Sequence, residues 1–369
     1  MTRVGDSKVV GFRVRRHLLD RRNSASPADV ARTLCGLHAQ LAASAELSVW
    51  ARVEGLGRDD VREALEEERS LVKTWAMRGT LHLLAADDLA LYVAVLGPNW
   101  DHPGGAWLRG FGVTREQYIT ILETVPKALG ARPRTREQLA DKVGEVAGPE
   151  LREKLLSGWG ALLKPSARRG ELCFGPNRGR NVTFVRPDRW LRGFRRPGRV
   201  EARRELVRRF LSAYGPATAD ELGRWLGFRA GLKPMLAALG DELVEVDAAR
   251  SPAWLLAADL DELRAASKPK SVRLLPAFDP YIVGFRPRAL LVDAEHEAKI
   301  FRPQAWFSPV VLVGGRAAGI WKRERRGRRL EVQVEPFARL TAATRRAIAE
   351  EADRLGEFLD APAELQVAA

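Results

Sequence analysis

Apolar residues in the first hundred positions switch between two spacings. Between residues 27 and 68 they sit mainly three and four apart, as at Leu47, Trp50 and Val53, which puts them on one face of a helix. At Leu71-Val72-Lys73-Thr74-Trp75 and Thr80-Leu81-His82-Leu83-Leu84 that spacing gives way to short runs around Arg78-Gly79, the pattern of two strands joined by a turn. Helices are expected over 27–36, about 43–54 and about 59–68, with another at 86–96 leading out. The first has a clear start: Ser26 at the N-cap, Pro27 in the first turn and Asp29 near the positive end of the dipole. A basic amphipathic helix over 8–22, with Val10, Phe12, Leu18 and Leu19 inward, precedes it. Three helices followed by a two-stranded hairpin make a winged helix, a variant of helix-turn-helix.

The same order recurs twice. Thr114-x-x-Gln117 and Thr135-x-x-Gln138 fit capping boxes, a third helix is expected over 150–163, and strands at 171–174 and 181–185 flank Gly175 to Arg180. Next come a helix over 201–213, a cap at Thr218-x-x-Glu221, a helix over 231–239, and strands at 243–246 and 253–256. After residue 270 the pattern becomes β-rich. Val272 opens it, strands are expected at 310–313, 317–322 and 330–334, and Thr341 caps a last helix to about 358. The expected fold is α+β: winged helices at 8–97, 112–192 and 200–265, then a C-terminal β domain of barrel- or sandwich-like form at 270–360.

Chemistry concentrates where polar groups interrupt burial. Cys35-Gly36-Leu37-His38-Ala39-Gln40-Leu41 lies among Val30, Leu34, Ala42, Ala43 and Leu47. On a helix His38 and Gln40 would point about 200° apart; in an extended segment they share a face. Gly36 fits the first position past the helix end, which makes the extended form reasonable. An imidazole and a carboxamide so placed either hold a water or contact a sugar cation, or else simply cap the end of an element.

Charge changes the picture more than composition does. The 369 residues carry a net charge of +14, with a pI near 10.3, a balance suited to phosphate backbones. The basic residues cluster at Arg13 to Arg22, at Arg186 to Arg209 and at Lys322 to Arg329. In the last cluster, Lys322, Arg323, Arg325, Arg326 and Arg328 are expected to project from a turn, either into a nucleic-acid groove or as charges guarding an edge strand. No run of about 18 apolar residues marks a membrane span, and no leader pattern is evident, so a cytoplasmic, nucleoid-associated protein is expected. Two cysteines, Cys35 and Cys173, build no disulfide framework, and histidines at 17, 38, 82, 102 and 296 lack metal-ligand spacing. No metal and no cofactor are expected.

Several strings together resemble one family. They are Gly36-Leu37-His38-Ala39-Gln40, Lys73-Thr74-Trp75-Ala76-Met77-Arg78-Gly79-Thr80-Leu81-His82, Tyr214-Gly215-Pro216-Ala217-Thr218, Trp225-Leu226-Gly227, Leu275-Pro276-Ala277-Phe278-Asp279-Pro280-Tyr281 and Gly319-Ile320-Trp321. They look like the winged-helix DNA glycosylases of the AlkZ/YcaQ type, across almost the whole chain. The resemblance implies three tandem winged helices and a β domain around duplex DNA. It implies hydrolysis of the N-glycosidic bond of bulky N7-alkylated purines, crosslinks in some members, and in several a role in self-resistance to a DNA-alkylating natural product, alongside antibiotic biosynthesis. It places the family's catalytic pair, glutamine-x-glutamine or glutamine-x-aspartate, at His38 and Gln40. Gln40 matches and His38 departs, as in a subset of the family.

The chemistry tolerates that departure. An N7-alkylated purine is already cationic and leaves readily, so the site must stabilise an oxocarbenium-like sugar and aim a water. The Gln40 carbonyl can accept from that water. A neutral His38 can take its proton, having a reference pKa of about 6.5; a protonated one would serve better against phosphate. No lysine adjoins the motif, so a monofunctional enzyme is expected. Arg78 and His82 are candidates for DNA contact or for turn and strand packing. Trp75 and Asp279 are candidates for supporting the site, and Trp75, Trp159, Trp225 and Trp321 for core. The expected partner is double-stranded DNA, preferentially alkylated, bound by a monomer. The competing reading is a non-catalytic winged-helix transcription regulator, since fold alone does not assign function.

Overall fold

A computed structural model describes residues 2–97, 104–130, 132–156 and 160–368. His102, Trp159 and the middle of the helix expected over 150–163 lie outside them. The chain divides into two compact units, Met1–Val61, Val207–Trp225 and Arg229–Ala369 forming one, and Arg62–Leu206 with Leu226–Phe228 the other. The protein is α+β.

In the first unit the C-terminal region is a five-stranded sheet. Its order is Val272–Leu275, Val310–Val313, Arg316–Arg326, Arg329–Pro336 and Ala363–Val367. The pairs are antiparallel except the last. That parallel pair needs a crossover, which the helix Ala342–Phe358 supplies, burying Ile348 and Leu355 in a core shared with Leu274 and Val332. The sheet stays open, with Val272–Leu275 and Ala363–Val367 at its edges, so the expected barrel does not close.

The strands of this sheet run further than expected. Residues 323 to 326, three arginines and Glu324, belong to the ladder, with Arg323 opposite Val332 and Arg326 opposite Arg329, and only Gly327 and Arg328 turn. Gly327 takes φ 60°, the conformation a two-residue hairpin turn demands. Long aliphatic stems let arginine lie along an exposed strand, so charge density did not mark the turn.

A second sheet of this unit pairs Leu243–Ala248 antiparallel with Ser251–Leu256 and parallel with Thr2–Val4, a strand the pattern did not announce. The helix that follows, Asp6–Arg16, stops short of residue 22, because Leu18 turns left-handed at φ 57° and drives Leu19 into the core. The first basic cluster is largely consumed here. Arg13 is buried and donates to the carbonyls of Gly215, Pro216 and Arg286; Arg16 pairs with Asp259 and Glu262; Arg22 meets Glu351 at 2.7 Å.

In the second unit, Leu71–Trp75 and Leu81–Ala85 form an antiparallel hairpin from Leu71↔Ala85 to Trp75↔Leu81. The helices Arg115–Ala128 and Arg136–Ala147 start with complete capping boxes at Thr114/Gln117 and Thr135/Gln138. The hairpin Cys173–Arg178 with Asn181–Val185 follows. Trp75 packs against Phe174 (4.8 Å between ring centres) and Phe184, in one core with Ile121, Val143 and Leu163.

Candidate active site

The helix Pro27–Thr33 delivers the His38 segment. Ser26 caps its start, accepting from the Asp29 N–H. Its end is closed by Gly36 N–H to Ala31 O at 2.7 Å and Cys35 N–H to Arg32 O at 3.2 Å, the paired bonds of a Schellman motif. The residue just past the cap is therefore Cys35, left-handed at φ 56°, while Gly36 follows one place later at φ 103°. The Tyr214 hydroxyl donates to the Leu34 carbonyl at 3.0 Å and pins this end from the helix Arg199–Tyr214. Its ring needs room: a Cβ on Gly284 would fall 2.3 Å from it. His17, wedged between the rings of Tyr214 and Tyr281, is kept well below its ordinary pKa by burial and then by the Arg52 and Arg13 cations.

Beyond the helix end the chain is extended at Leu37–His38, and the two candidate catalytic residues part company in burial. His38 is 8% exposed, whereas Gln40 stands at the surface, just before the helix Ala42–Trp50. The imidazole lies flat against the Phe278 ring, with centres 4.6 Å apart and planes 7° apart. Phe278 has φ 60°, an uncommon conformation for a bulky residue and of a kind that clusters at functional sites.

The next residue holds that turn in place. Asp279 caps the helix Pro280–Gly284 by accepting from the Tyr281 N–H at 2.9 Å, and both its carboxylate oxygens receive the Arg52 guanidinium, at 2.7 and 2.8 Å. Neither side chain is exposed at all. Arg52 also donates to the carbonyls of His17 and Ser48. This fork joins the chain just past the helix Ala42–Trp50 to the turn that carries Phe278.

In the second unit, Arg78 turns left-handed at φ 56°. Buried His82 donates through Nδ1 to Thr80 O at 2.9 Å, and its Nε2 lies 3.4 Å from the Arg78 guanidinium. Trp75, Trp225 and Trp321 are buried; Trp321 donates to Leu275 O at 2.8 Å.

The basic hairpin is less uniform than its sequence. Arg323 is half-buried, and burial lowers its pKa against the opposing pull of Glu46. Arg326 pairs with Glu331 at 2.9 Å and with Glu324 at 3.3 Å. Lys322, Arg325, Arg326 and Arg328 are all exposed.

The chain matches the family model described as DNA glycosylase AlkZ-like over residues 31–358. It is 37% identical, over 323 residues covering 85% of this chain and 87% of the relative, to an interstrand DNA cross-link repair glycosylase of Streptomyces sahachiroi. The solved structure of Streptomyces sahachiroi DNA glycosylase AlkZ superposes with a TM-score of 0.89 at 32% identity, covering 100% of both chains. The chain belongs to the AlkZ-like DNA glycosylase family. It is thus an enzyme of the class that hydrolyses the N-glycosidic bond between base and sugar in DNA, and the regulator reading is set aside. In this AlkZ-like glycosylase, no helix among the described residues is long and apolar enough to cross a membrane.

Four residues around His38 are not among the candidates that the sequence offers. For Phe278, the flanking Pro276 and Pro280 are the sequence signal of a fixed turn. Tyr214 carries no local sign of its bond to the Leu34 carbonyl, 180 residues away. Arg52 and Trp306 carried no local signal.

Proposed function

We propose that this glycosylase releases bulky N7-alkylated purines from duplex DNA, with Gln40 and His38 as its catalytic pair. The observation that carries the reading is the flat stack of His38 on a left-handed Phe278, next to an exposed Gln40. Such an arrangement fixes one polar group in a water-poor wall and leaves the other free to meet a sugar. Water adds to C1′ as the C1′–N9 bond breaks; the bond's electron pair neutralises the purine cation, and the water proton passes to His38 or to solvent. The Gln40 carbonyl accepts from the water and faces the developing positive charge, a role typically worth about 10²–10³-fold.

Three tandem winged helices, monomeric binding, preference for alkylated over intact DNA, nucleoid association and service in self-resistance belong to the same proposal. Relatedness to a cross-link repair glycosylase supports extending it to crosslinked duplexes. The test is incubation of the purified protein with duplexes bearing small or bulky N7-alkylguanine, with abasic sites scored by alkaline cleavage. Adduct-dependent cleavage is expected. No release from any adduct, together with tight sequence-specific binding to intact DNA, would overturn the proposal.

The hairpin contributes phosphate contacts in this reading, through the exposed Arg325 and Arg328 rather than through half-buried Arg323 and ion-paired Arg326. Changing both Arg325 and Arg328 to glutamine is expected to weaken duplex binding and to flatten the plot of log affinity against log salt by about 0.9 per lost contact. An unchanged slope removes the hairpin from the interface.

A further inference from the structure

We infer that Trp306 and the groove beside it hold the planar, apolar body of the N7 substituent while His38 and Gln40 act on the sugar. The inference rests on the glycosylase reading above. Trp306 is 44% exposed, an unusual position for the largest side chain. The backbone that presents it is uncommon too, since Gln304 and Ala305 both take left-handed φ, 58° and 57°. They form the bend of a short ribbon in which Arg302 opposes Trp306 and Phe301 opposes Phe307.

The Trp306 and Phe278 rings meet steeply, with centres 5.0 Å apart and planes 76° apart, and Phe278 in turn lies flat on His38. Trp306 is therefore one ring away from the imidazole. It also lines a groove of about 530 Å³, together with Pro309, Ile320, Lys322, Gln333 and Val367. The volume lies within the roughly 300–1,000 Å³ of small-molecule sites. A methylated base presents nothing to fill such a space, whereas a fused-ring substituent does, with the indole for stacking and Ile320 and Val367 for apolar contact. Lys322 and Gln333 supply donors for oxygens on the substituent's edge. Continuity through three rings gives the groove its occupant: a group covalently attached to the base whose sugar lies at His38.

The test compares duplexes carrying N7-methylguanine with duplexes carrying an N7-guanine adduct of a planar polycyclic epoxide. Stacking on an aromatic side chain is worth about 5- to 150-fold per ring system. In Trp306→Ala, the ratio of kcat/KM for the polycyclic adduct to that for the methyl adduct is expected to fall at least tenfold. Trp306→Phe should recover most of it, and Ile320→Arg, which plugs the groove from the sheet side, should lower it again. A ratio unchanged in Trp306→Ala, including a parallel loss on both substrates, overturns the inference and leaves Trp306 as a brace for Phe278 or a wedge into DNA. Equilibrium binding separates this from failure of the glycosylase reading. If the wild type releases neither base yet binds the polycyclic duplex more tightly than the methylated one, and Trp306→Ala abolishes that preference, the groove assignment stands and the catalytic one falls. Equal binding of both duplexes by the wild type overturns the groove.

Discussion

Replacement of Gln40 by alanine is expected to slow single-turnover release of N7-alkylpurine by about 10²–10³-fold, the loss associated with removing one preorganised polar group from a charged transition state. Duplex affinity should stay within about threefold, because a single exposed amide adds little to a phosphate-dominated interface. Gln40 suits this experiment because it is exposed and truncation empties no core. His38→Ala should also slow release, but there the interpretation carries a packing cost, since the change strips one face from Phe278. The pair is informative together. A slow Gln40→Ala protein with wild-type unfolding behaviour assigns the loss to chemistry. Full activity in both variants would end the catalytic assignment of the segment.

The readable parts of this chain are those whose causes are local. Ser26 with Asp29, Thr114 with Gln117, Thr135 with Gln138, Thr218 with Glu221 and Thr341 each announce a helix start within three residues, and each is present as a cap. The hairpins at 71–85 and 243–256 follow from runs flanking a turn. What was not legible depends on partners distant in sequence. Thr2–Val4 is a strand because residues 246–248 offer it an edge. The Schellman closure places Cys35 where a glycine was expected, because two backbone bonds and burial outweigh the modest cost of a left-handed cysteine. Around the site the same limit applies. His38 and Gln40 were visible as polar residues in an apolar stretch, but the stack on Phe278, the Tyr214 pin and the exposed Trp306 exist only once the chain has closed.

Asp279→Ala is expected to destabilise the protein by about 3–5 kcal/mol, the usual cost of breaking a buried pair from one side. The partners are 227 residues apart, and both are fully inaccessible, so Arg52 would be left as an uncompensated charge that water does not reach. Loss of the N-cap on Pro280–Gly284 adds to the effect in the same direction. Against a typical total of about 5–15 kcal/mol this is a large fraction, so urea unfolding at fixed pH should show a clear drop in midpoint. The sign of the compensating experiment distinguishes pairing from mere packing. An Arg52→Met, Asp279→Leu double variant, apolar on both sides, should be markedly more stable than Asp279→Ala alone, because it removes the orphaned charge along with its partner. Its base release should nevertheless remain impaired, since the fork that fixes the Phe278 turn against His38 is gone. A single variant with a midpoint near wild type would mean that Arg52 finds other acceptors, and the ion pair would then lose its place in the framework of the site.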